Sequence, residues 1–404
     1  MTAAPVEPAD FAPPPTAGDR ERWAEADRAA RPARLARLRE RFAGAGIDAY
    51  FGVRPEHIRY LTGFALDDGE EKNAGVSGQF LAGADEVVLF ADSRYTIQAT
   101  RQAPDVRIAE VYGDLPGRWP ELVASLGARR VAVEAGVVSK ATWDRLAAAA
   151  PDVELVPIEG WIEADRATKE PSELERIAAA CAVADRALAG LLPTIRVGRT
   201  EREIALELEF AMRTGGADAL AFDVACLSGP EAALPHGGPG DRPVRDRAVL
   251  LFDFGAQVAG YRSDMTRTLF VGEPQARDLA VYELVAAAQA ASIAGIEAAV
   301  RDGRPISGRA ADTLARDVIV AAGHGAHFGH GTGHGIGLAT HELPSLGTRA
   351  ADTPLPSPTV FSVEPGVYLA DETGVRIEDL VAYDTGARRV ERLTRFPREV
   401  LVVG

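Results

Sequence analysis

Four acidic residues stand where apolar strand residues are expected. In "LLFDFGAQVAGYRSDMTRTLF", Asp253 interrupts Leu250, Leu251, Phe252 and Phe254, and Asp264 ends the return arm of a hairpin that folds the two positions back beside each other. In "FSVEPGVYLADETGVRIEDL", Glu364 and Glu378 each fall in a strand-like apolar run, with "ADETG" as the turn between them. An ionised carboxylate in a buried strand is costly unless it is paired or bound to a cation. Two carboxylates brought together must share a proton or hold a metal. A turn hydrogen bond would account for Asp264 taken alone, but it fits Asp253 badly because its neighbours offer no polar surroundings.

Histidine supplies the complementary signal. Five of the seven histidines lie in "AAGHGAHFGHGTGHGIGLATHELP": His324, His327, His330, His334 and His341; the other two are His57 and His236. The glycines around His334 let the backbone approach closely. Four inward carboxylates and one imidazole make a site for two divalent cations, the four negative charges balancing two dications and a bridging hydroxide carrying out the attack. The segment matches neither a dinucleotide-binding glycine loop nor an H-E-x-x-H zinc helix.

These residues need elements to position them. After a proline-rich lead-in (1–20), "ERWAEADRAARPARLARLRERFAGAG" reads as a helix interrupted near Pro32. Strand-like "IDAYFGV", "EVVLFAD", "VRIAEVYG", "RRVAVEAG" and "VELVPIE" then alternate with helical "RWPELVASLGA" and "SKATWDRLAAAA". That alternation predicts a compact α/β domain over 21–165. The remainder, 166–404, reads as α+β with mainly antiparallel hairpins. Its first helix shows a capping-box pattern at Ser172 and Glu175, with Cys181 on the apolar face, and its second shows one at Thr200 and Glu203 with a stop at Gly215–Gly216. Two long helices are expected at about 274–301 and 305–322.

Composition narrows the function classes. A net charge of −15 disfavours nonspecific binding to nucleic acid or anionic membranes. Two cysteines, Cys181 and Cys226, are too few for a disulfide framework. The N-terminus has no basic stretch followed by an apolar run, and no segment is expected to reach the ~20 apolar residues of a membrane span. A cytoplasmic soluble protein is the economical expectation.

The motifs "ALPHGG", "LLFDFG", "GYRSDMTRT", "GHGTGHGIGLATHELP", "VEPG" and "GVRIED", in that order, resemble the pita-bread metallopeptidases of the M24 type, relatives of Xaa-Pro aminopeptidase and Xaa-Pro dipeptidase (prolidase). The resemblance covers about 168–404. It extends more loosely through "EHIRYLTGF", "ADSRYTIQA" and "VAVEAG" to a creatinase-like N-terminal domain. It implies that Asp253 chelates one metal, that His334 and Glu364 hold the other, and that Asp264 and Glu378 bridge both. It also implies that His236 lies near the scissile and P1′ groups, that His341 stabilises the tetrahedral intermediate, that His330 lines the proline pocket, and that Arg376 stands behind the bridging glutamate. His324 and His327 have no counterpart and read as helix C-terminal or loop residues; His57 reads as structural or as a domain-interface residue.

The implied reaction is hydrolysis of the Xaa-Pro bond, with Glu364 passing the nucleophile's proton to the leaving nitrogen. Manganese suits the oxygen-rich ligands best, with cobalt or zinc as alternatives. In the 14-residue spacing of Glu364 and Glu378 and the compact first domain the chain resembles short prolidases more than longer aminopeptidases, which implies a dipeptidase. A dipeptidase needs a cation for the proline carboxylate, and Arg349 in "SLGTR" is a candidate by proximity. The alternatives are an Xaa-Pro aminopeptidase acting on longer peptides and a non-catalytic binding module of the same fold. A creatinase-like hydrolase is disfavoured by the intact ligand set, and a methionine aminopeptidase by the size of the first domain. The resemblance also implies a homodimer.

Overall fold

The structure, a computed structural model, describes residues 6–66 and 74–404. The chain divides into two compact units, Glu21–Asp165 and Arg166–Gly404, the second joined by the N-terminal segment through Arg20.

In the first unit, α1 (Ala17–Ala45) precedes a six-stranded sheet of β1 (Ala49–Gly52), β2 (Phe80–Gly83), β3 (Val87–Ala91), β4 (Arg107–Glu110), β5 (Arg130–Glu134) and β6 (Glu154–Ile158), ordered β4-β3-β2-β1-β5-β6. Its β1–β2 and β2–β3 pairs are antiparallel and the rest parallel. Helices α2 (Pro55–Thr62), α3 (Thr96–Gln102), α4 (Leu115–Ser125), α5 (Lys140–Ala149) and α6 (Trp161–Ala167) complete it. Phe51 of β1 meets Trp119 of α4 edge-on at 5.1 Å in the core. Helix α1 continues through Pro32, against the expected interruption. A proline forfeits one intrahelical hydrogen bond. Here the flanking guanidiniums hold the helix: Arg31 donates to the Thr62 carbonyl at 2.7 Å, and Arg34 donates to the Tyr60 carbonyl at 3.1 Å while stacking on the Tyr60 ring. His57 is structural, buried with Nδ1 and the Tyr50 hydroxyl both on Glu134 Oε1.

The second unit begins with α7 (Pro171–Leu191) and α8 (Glu201–Thr214). The expected box at Ser172 and Glu175 is displaced: Glu170 caps α7, with Glu173 reaching back to its N–H at 2.7 Å. Pro171, lacking an N–H and fixed in φ, suits the first helical position and sets that frame. The Thr200–Glu203 box and the Gly215 cap form as read. Strands β7 (Ala219–Leu220), β8 (Ala225–Ser228), β9 (Ala248–Phe254), β10 (Ala256–Val258), β11 (Tyr261–Arg262) and β12 (Met265–Val271) follow, then α9 (Ala276–Arg301) and α10 (Gly308–Ala321). The chain ends with β13 (Gly333–Gly335), β14 (Glu342–Leu346), β15 (Thr359–Val363), β16 (Gly366–Leu369), β17 (Thr373–Arg376), β18 (Asp379–Asp384), β19 (Arg389–Arg392) and β20 (Val402–Val403). Two sheets carry the site: β20-β12-β9-β8 and β14-β13-β15-β18-β19, with β16–β17 as a separate hairpin.

Two sequence expectations change in this unit. Residues 6–20 of the lead-in pack onto it: Phe11 stacks on Phe396 with ring centroids 6.1 Å apart, and Arg186 donates to the Pro8 carbonyl at 2.8 Å. Residues 1–5 lie outside the described residues. The segments Pro171–Thr194 and Ala276–Arg301 are long and apolar enough to cross a membrane by length and composition, contrary to the expectation from sequence. Both are core helices here. Buried Asp185 of α7 accepts the Arg395 and Phe396 N–H groups, and buried Gln289 of α9 donates to Asp379.

Candidate metal centre and active site

Asp253 sits in β9, opposite Thr266 of β12 in the antiparallel ladder, so the strand pair itself brings Asp264, just before β12, to the same end of the sheet. Glu364 and Glu378 occupy the breaks between β15 and β16 and between β17 and β18, flanking the hairpin rather than lying within strands. A strand break frees the side chain from the strict alternation of faces. His334 is the middle residue of three-residue β13, which packs so closely that a Cβ at Gly333 would lie 1.9 Å from the Ser362 carbonyl oxygen and one at Gly335 2.1 Å from that of Leu343. Only glycine fits on either side of His334.

These elements bring the acidic residues and His334 into one cavity of about 830 Å³, whose walls also include His236, His330, His341, Ser345, Phe222, Asp223 and Arg376. One ligand-capable atom from each of Asp264, His334 and Glu378 lies within 4.8 Å of the others. His334 Nε2 stands 3.3 Å from Glu364 Oε1 and 3.7 Å from Asp264 Oδ2. Its Nδ1–H donates to the Gly335 carbonyl at 3.1 Å, which directs Nε2 at the carboxylates. Ser362 donates to Glu364 Oε1 at 3.0 Å, and Thr266 to Glu378 Oε2 at 2.7 Å. Asp253 Oδ1 and Glu378 Oε1 are buried without any hydrogen-bond partner among the described residues.

The electrostatics are those of a crowded acidic cluster. Burial, then the charge of Glu378, pushes Asp264 well above the usual carboxylate range; burial, then Glu364, does the same for Glu378. Asp253 is also raised, burial outweighing Arg376 beside it. Glu364 is buried too, yet its hydrogen bond and charge pairing with His334 bring it down to about 2. His334 rises to about 9 because those same carboxylates outweigh its burial. Orphaned carboxylate oxygens, mutually repelling acids and an imidazole aimed at them are the donor set a hard divalent cation takes.

Around this core, Arg376 is buried and donates from each of its three nitrogens. It donates to Asp253 Oδ2 at 2.6 Å, Thr266 Oγ1 at 2.8 Å, the Tyr368 hydroxyl at 2.9 Å and the Pro235 carbonyl at 3.4 Å. His330 Nε2 meets the same Tyr368 hydroxyl at 2.8 Å, and its Nδ1 meets the Gly331 carbonyl at 2.8 Å. Arg316, paired with buried Asp312, holds this loop by donating to the carbonyls of Phe328 and His330. The His341 ring lies 4.2 Å from that of His334 and is open to the cavity, as is His236. Residual desolvation and the neighbouring His334 lower its pKa. Arg349 is exposed and is not among the cavity walls. His324 and His327 lie in and beside a short 3-10 turn, away from those walls. Tyr368, Thr266, Ser362, Asp312 and Arg316 escaped the sequence reading. Only Tyr368, four residues past Glu364, had a signal there, a polar hydroxyl in an apolar hairpin strand.

The model of metallopeptidase family M24 matches residues 175–384, and that of the creatinase/prolidase N-terminal domain matches residues 34–168. The uncharacterized peptidase YqhT of Bacillus subtilis is 35% identical over 371 residues, covering 92% of this chain and all of that one. Among solved structures, a Xaa-Pro dipeptidase from Bacillus anthracis superposes with a TM-score of 0.83 at 34% identity, covering 92% of this chain and 99% of the other. An X-Pro aminopeptidase from Thermotoga maritima superposes with a TM-score of 0.79, also at 34% identity, covering 91% and 99%. With the family match spanning half the chain and a relative of 35% identity spanning nearly all of it, the chain belongs to metallopeptidase family M24 and is a hydrolase with a creatinase-like first domain and a pita-bread second domain.

Proposed function

We propose that the protein hydrolyses the Xaa-Pro bond of Xaa-Pro dipeptides, using two divalent cations held by Asp253, Asp264, His334, Glu364 and Glu378. The observation that carries this is the convergence of four buried or half-buried carboxylates and His334 on one cavity, with two of the carboxylates carrying unsatisfied oxygens and two others facing His334 Nε2. Asp253 would serve one ion, His334 and Glu364 the other, and Asp264 and Glu378 both. Manganese suits this oxygen-rich set, with cobalt or zinc as alternatives. When bound, such ions supply Lewis-acid polarisation of the scissile carbonyl and a water-derived nucleophile near neutral pH.

The chain's own groups do the rest. Glu364, ionised at neutral pH, accepts the nucleophile's proton and passes it to the leaving proline nitrogen. His341, neutral at that pH, donates one hydrogen bond to the developing oxyanion. His236, on the cavity rim, faces the scissile and P1′ groups. His330, fixed between Tyr368 and Gly331, walls the proline ring. Arg376 keeps Asp253 oriented and ties it to the His236 loop through Pro235. The free cysteines and acidic charge support a cytoplasmic location, and the resemblance supports a homodimer.

A second reading, cleavage of longer peptides by an Xaa-Pro aminopeptidase, is favoured by one observation. Among the described cavity walls Arg376 is the only lysine or arginine, and each of its three nitrogens already donates to the protein, so those walls offer no separate cation for a dipeptide's carboxylate. Hydrolysis of Ala-Pro and Ala-Pro-Ala by metal-stripped protein, with and without Mn²⁺, separates the readings. Metal-restored cleavage of Ala-Pro alone fits the dipeptidase, and comparable cleavage of the tripeptide moves the assignment to aminopeptidase. No cleavage of either leaves a binding module.

A further inference from the structure

The His341 ring makes no hydrogen bond among the described residues, so something else must aim it. Its two chain neighbours are both tied down. On one side Thr340 is buried and donates to the Ala221 carbonyl at 3.2 Å, while Arg262 donates to Thr340 Oγ1 at 3.0 Å. On the other side the Glu342 carboxylate, nearly inaccessible, meets two cations from a segment about 170 residues earlier. Lys169 Nζ lies 2.6 Å from Glu342 Oε1, and Arg166 Nη2 contacts Oε2. Lys169 Nζ also donates to the Arg166 carbonyl at 2.6 Å, and its backbone N–H to the Pro358 carbonyl at 2.8 Å. The carboxylate folds so tightly over the turn that a Cβ at Gly337 would lie 2.4 Å from Oε1.

We propose that Lys169, Arg166 and Glu342 form a buried clamp that positions His341 for oxyanion stabilisation. This rests on the catalytic reading of His341 given above. A charge triad sequestered from water is a costly way merely to hold a turn, since apolar packing does as well. What it adds is a fixed angle: charge-assisted hydrogen bonds to both carboxylate oxygens define the orientation of residue 342 and hence of residue 341. Displacing a catalytic donor by about 1 Å costs on the order of 100-fold in rate. Lys169, Arg166 and Glu342 are positioning residues and touch no substrate.

The test is a double-mutant cycle on the Mn²⁺-loaded enzyme with Ala-Pro. Lys169→Met keeps the apolar stem and leaves Glu342 paired with Arg166, so it folds more safely than Glu342→Gln, which strands two buried cations. Lys169→Met is expected to lower kcat about 10–100-fold with KM within about twofold and manganese content unchanged. Added to His341→Ala, it should cost less than about twofold more, because the residue it aims is gone. Lys169→Arg should recover most of the lost kcat. Multiplicative losses in the double variant, or loss of manganese from Lys169→Met, overturn the clamp. Parent-like kcat in His341→Ala overturns instead the oxyanion role on which it rests.

Discussion

Arg376 Nη2 lies 2.6 Å from Asp253 Oδ2, and the other oxygen of that carboxylate has no hydrogen-bond partner among the described residues. One guanidinium thus fixes the side chain and leaves Oδ1 free for a cation. Its planar fork also reaches Thr266, which itself donates to Glu378, so two carboxylates are oriented through one residue. A lysine cannot reproduce that fork. Arg376→Lys is therefore expected to weaken metal binding and lower kcat/KM about 10–100-fold, while melting stays cooperative. Metal content after dialysis against a fixed Mn²⁺ concentration checks it, and parent-like loading would remove Arg376 from this role.

Metal uptake should release protons. His334 stands at about 9, so the ion-free site holds a proton there at pH 7, and burial and like charge shift Asp264 and Glu378 upward as well. Ligation requires deprotonated groups. Each proton displaced makes affinity rise about tenfold per pH unit between pH 6 and 8. Calorimetric titration of the stripped protein with Mn²⁺, in two buffers of different ionisation enthalpy, gives the proton number directly. A count of zero would contradict the electrostatics described here.

The legible part of this site was the part that violates a pattern. Asp253, Asp264, Glu364 and Glu378 stood out because carboxylates broke apolar runs, and His334 because glycines surrounded it. The residues that hold them did not stand out. Thr266, Ser362 and Tyr368 are ordinary strand residues by type, and Asp312 with Arg316 is an i,i+4 pair that reads as solvated helix surface until it is seen gripping the 328–332 loop. Such roles come from tertiary approach, which no local periodicity encodes. The same limit explains α1. Local rules break a helix at Pro32, whereas its course is set by carbonyls about 30 residues away that Arg31 and Arg34 reach. Likewise β2 went unread because "QFLAG" is short and shows no alternation.

The repulsion within the cluster should be visible in stability. Asp264 keeps its proton in the folded, ion-free protein to a higher pH than in the unfolded chain, where it ionises near about 4. The unfolded state therefore gains by releasing that proton, and the folded state loses stability as pH rises from about 4 through the raised folded pKa. Asp264→Asn removes this titration. The stripped variant should melt a few degrees above the stripped parent at pH 8, with the difference vanishing near pH 4. Added Mn²⁺ should raise the parent's melting temperature and leave the variant's nearly unchanged. A variant that melts lower than the parent at pH 8 without metal would show that Asp264 is held by interactions other than burial and like charge.

Arg349 gives the sharpest test of substrate length. The sequence offers it as an anchor for a dipeptide's carboxylate, eight residues past His341, yet the side chain is exposed and off the cavity walls of its own unit. An exposed arginine contributes little to binding energy across solvent, because its field is screened. Arg349→Ala is accordingly expected to leave KM for Ala-Pro within about twofold, well under the roughly tenfold or greater loss that follows removal of a charge-assisted hydrogen bond to a bound carboxylate. Comparing Ala-Pro with its C-terminal amide completes the argument. If the amide is cleaved about as well as the acid, no cation reads the carboxylate and chain extension beyond proline is tolerated. A selective rise in KM for the acid in Arg349→Ala would return this arginine to the substrate and the enzyme firmly to dipeptides.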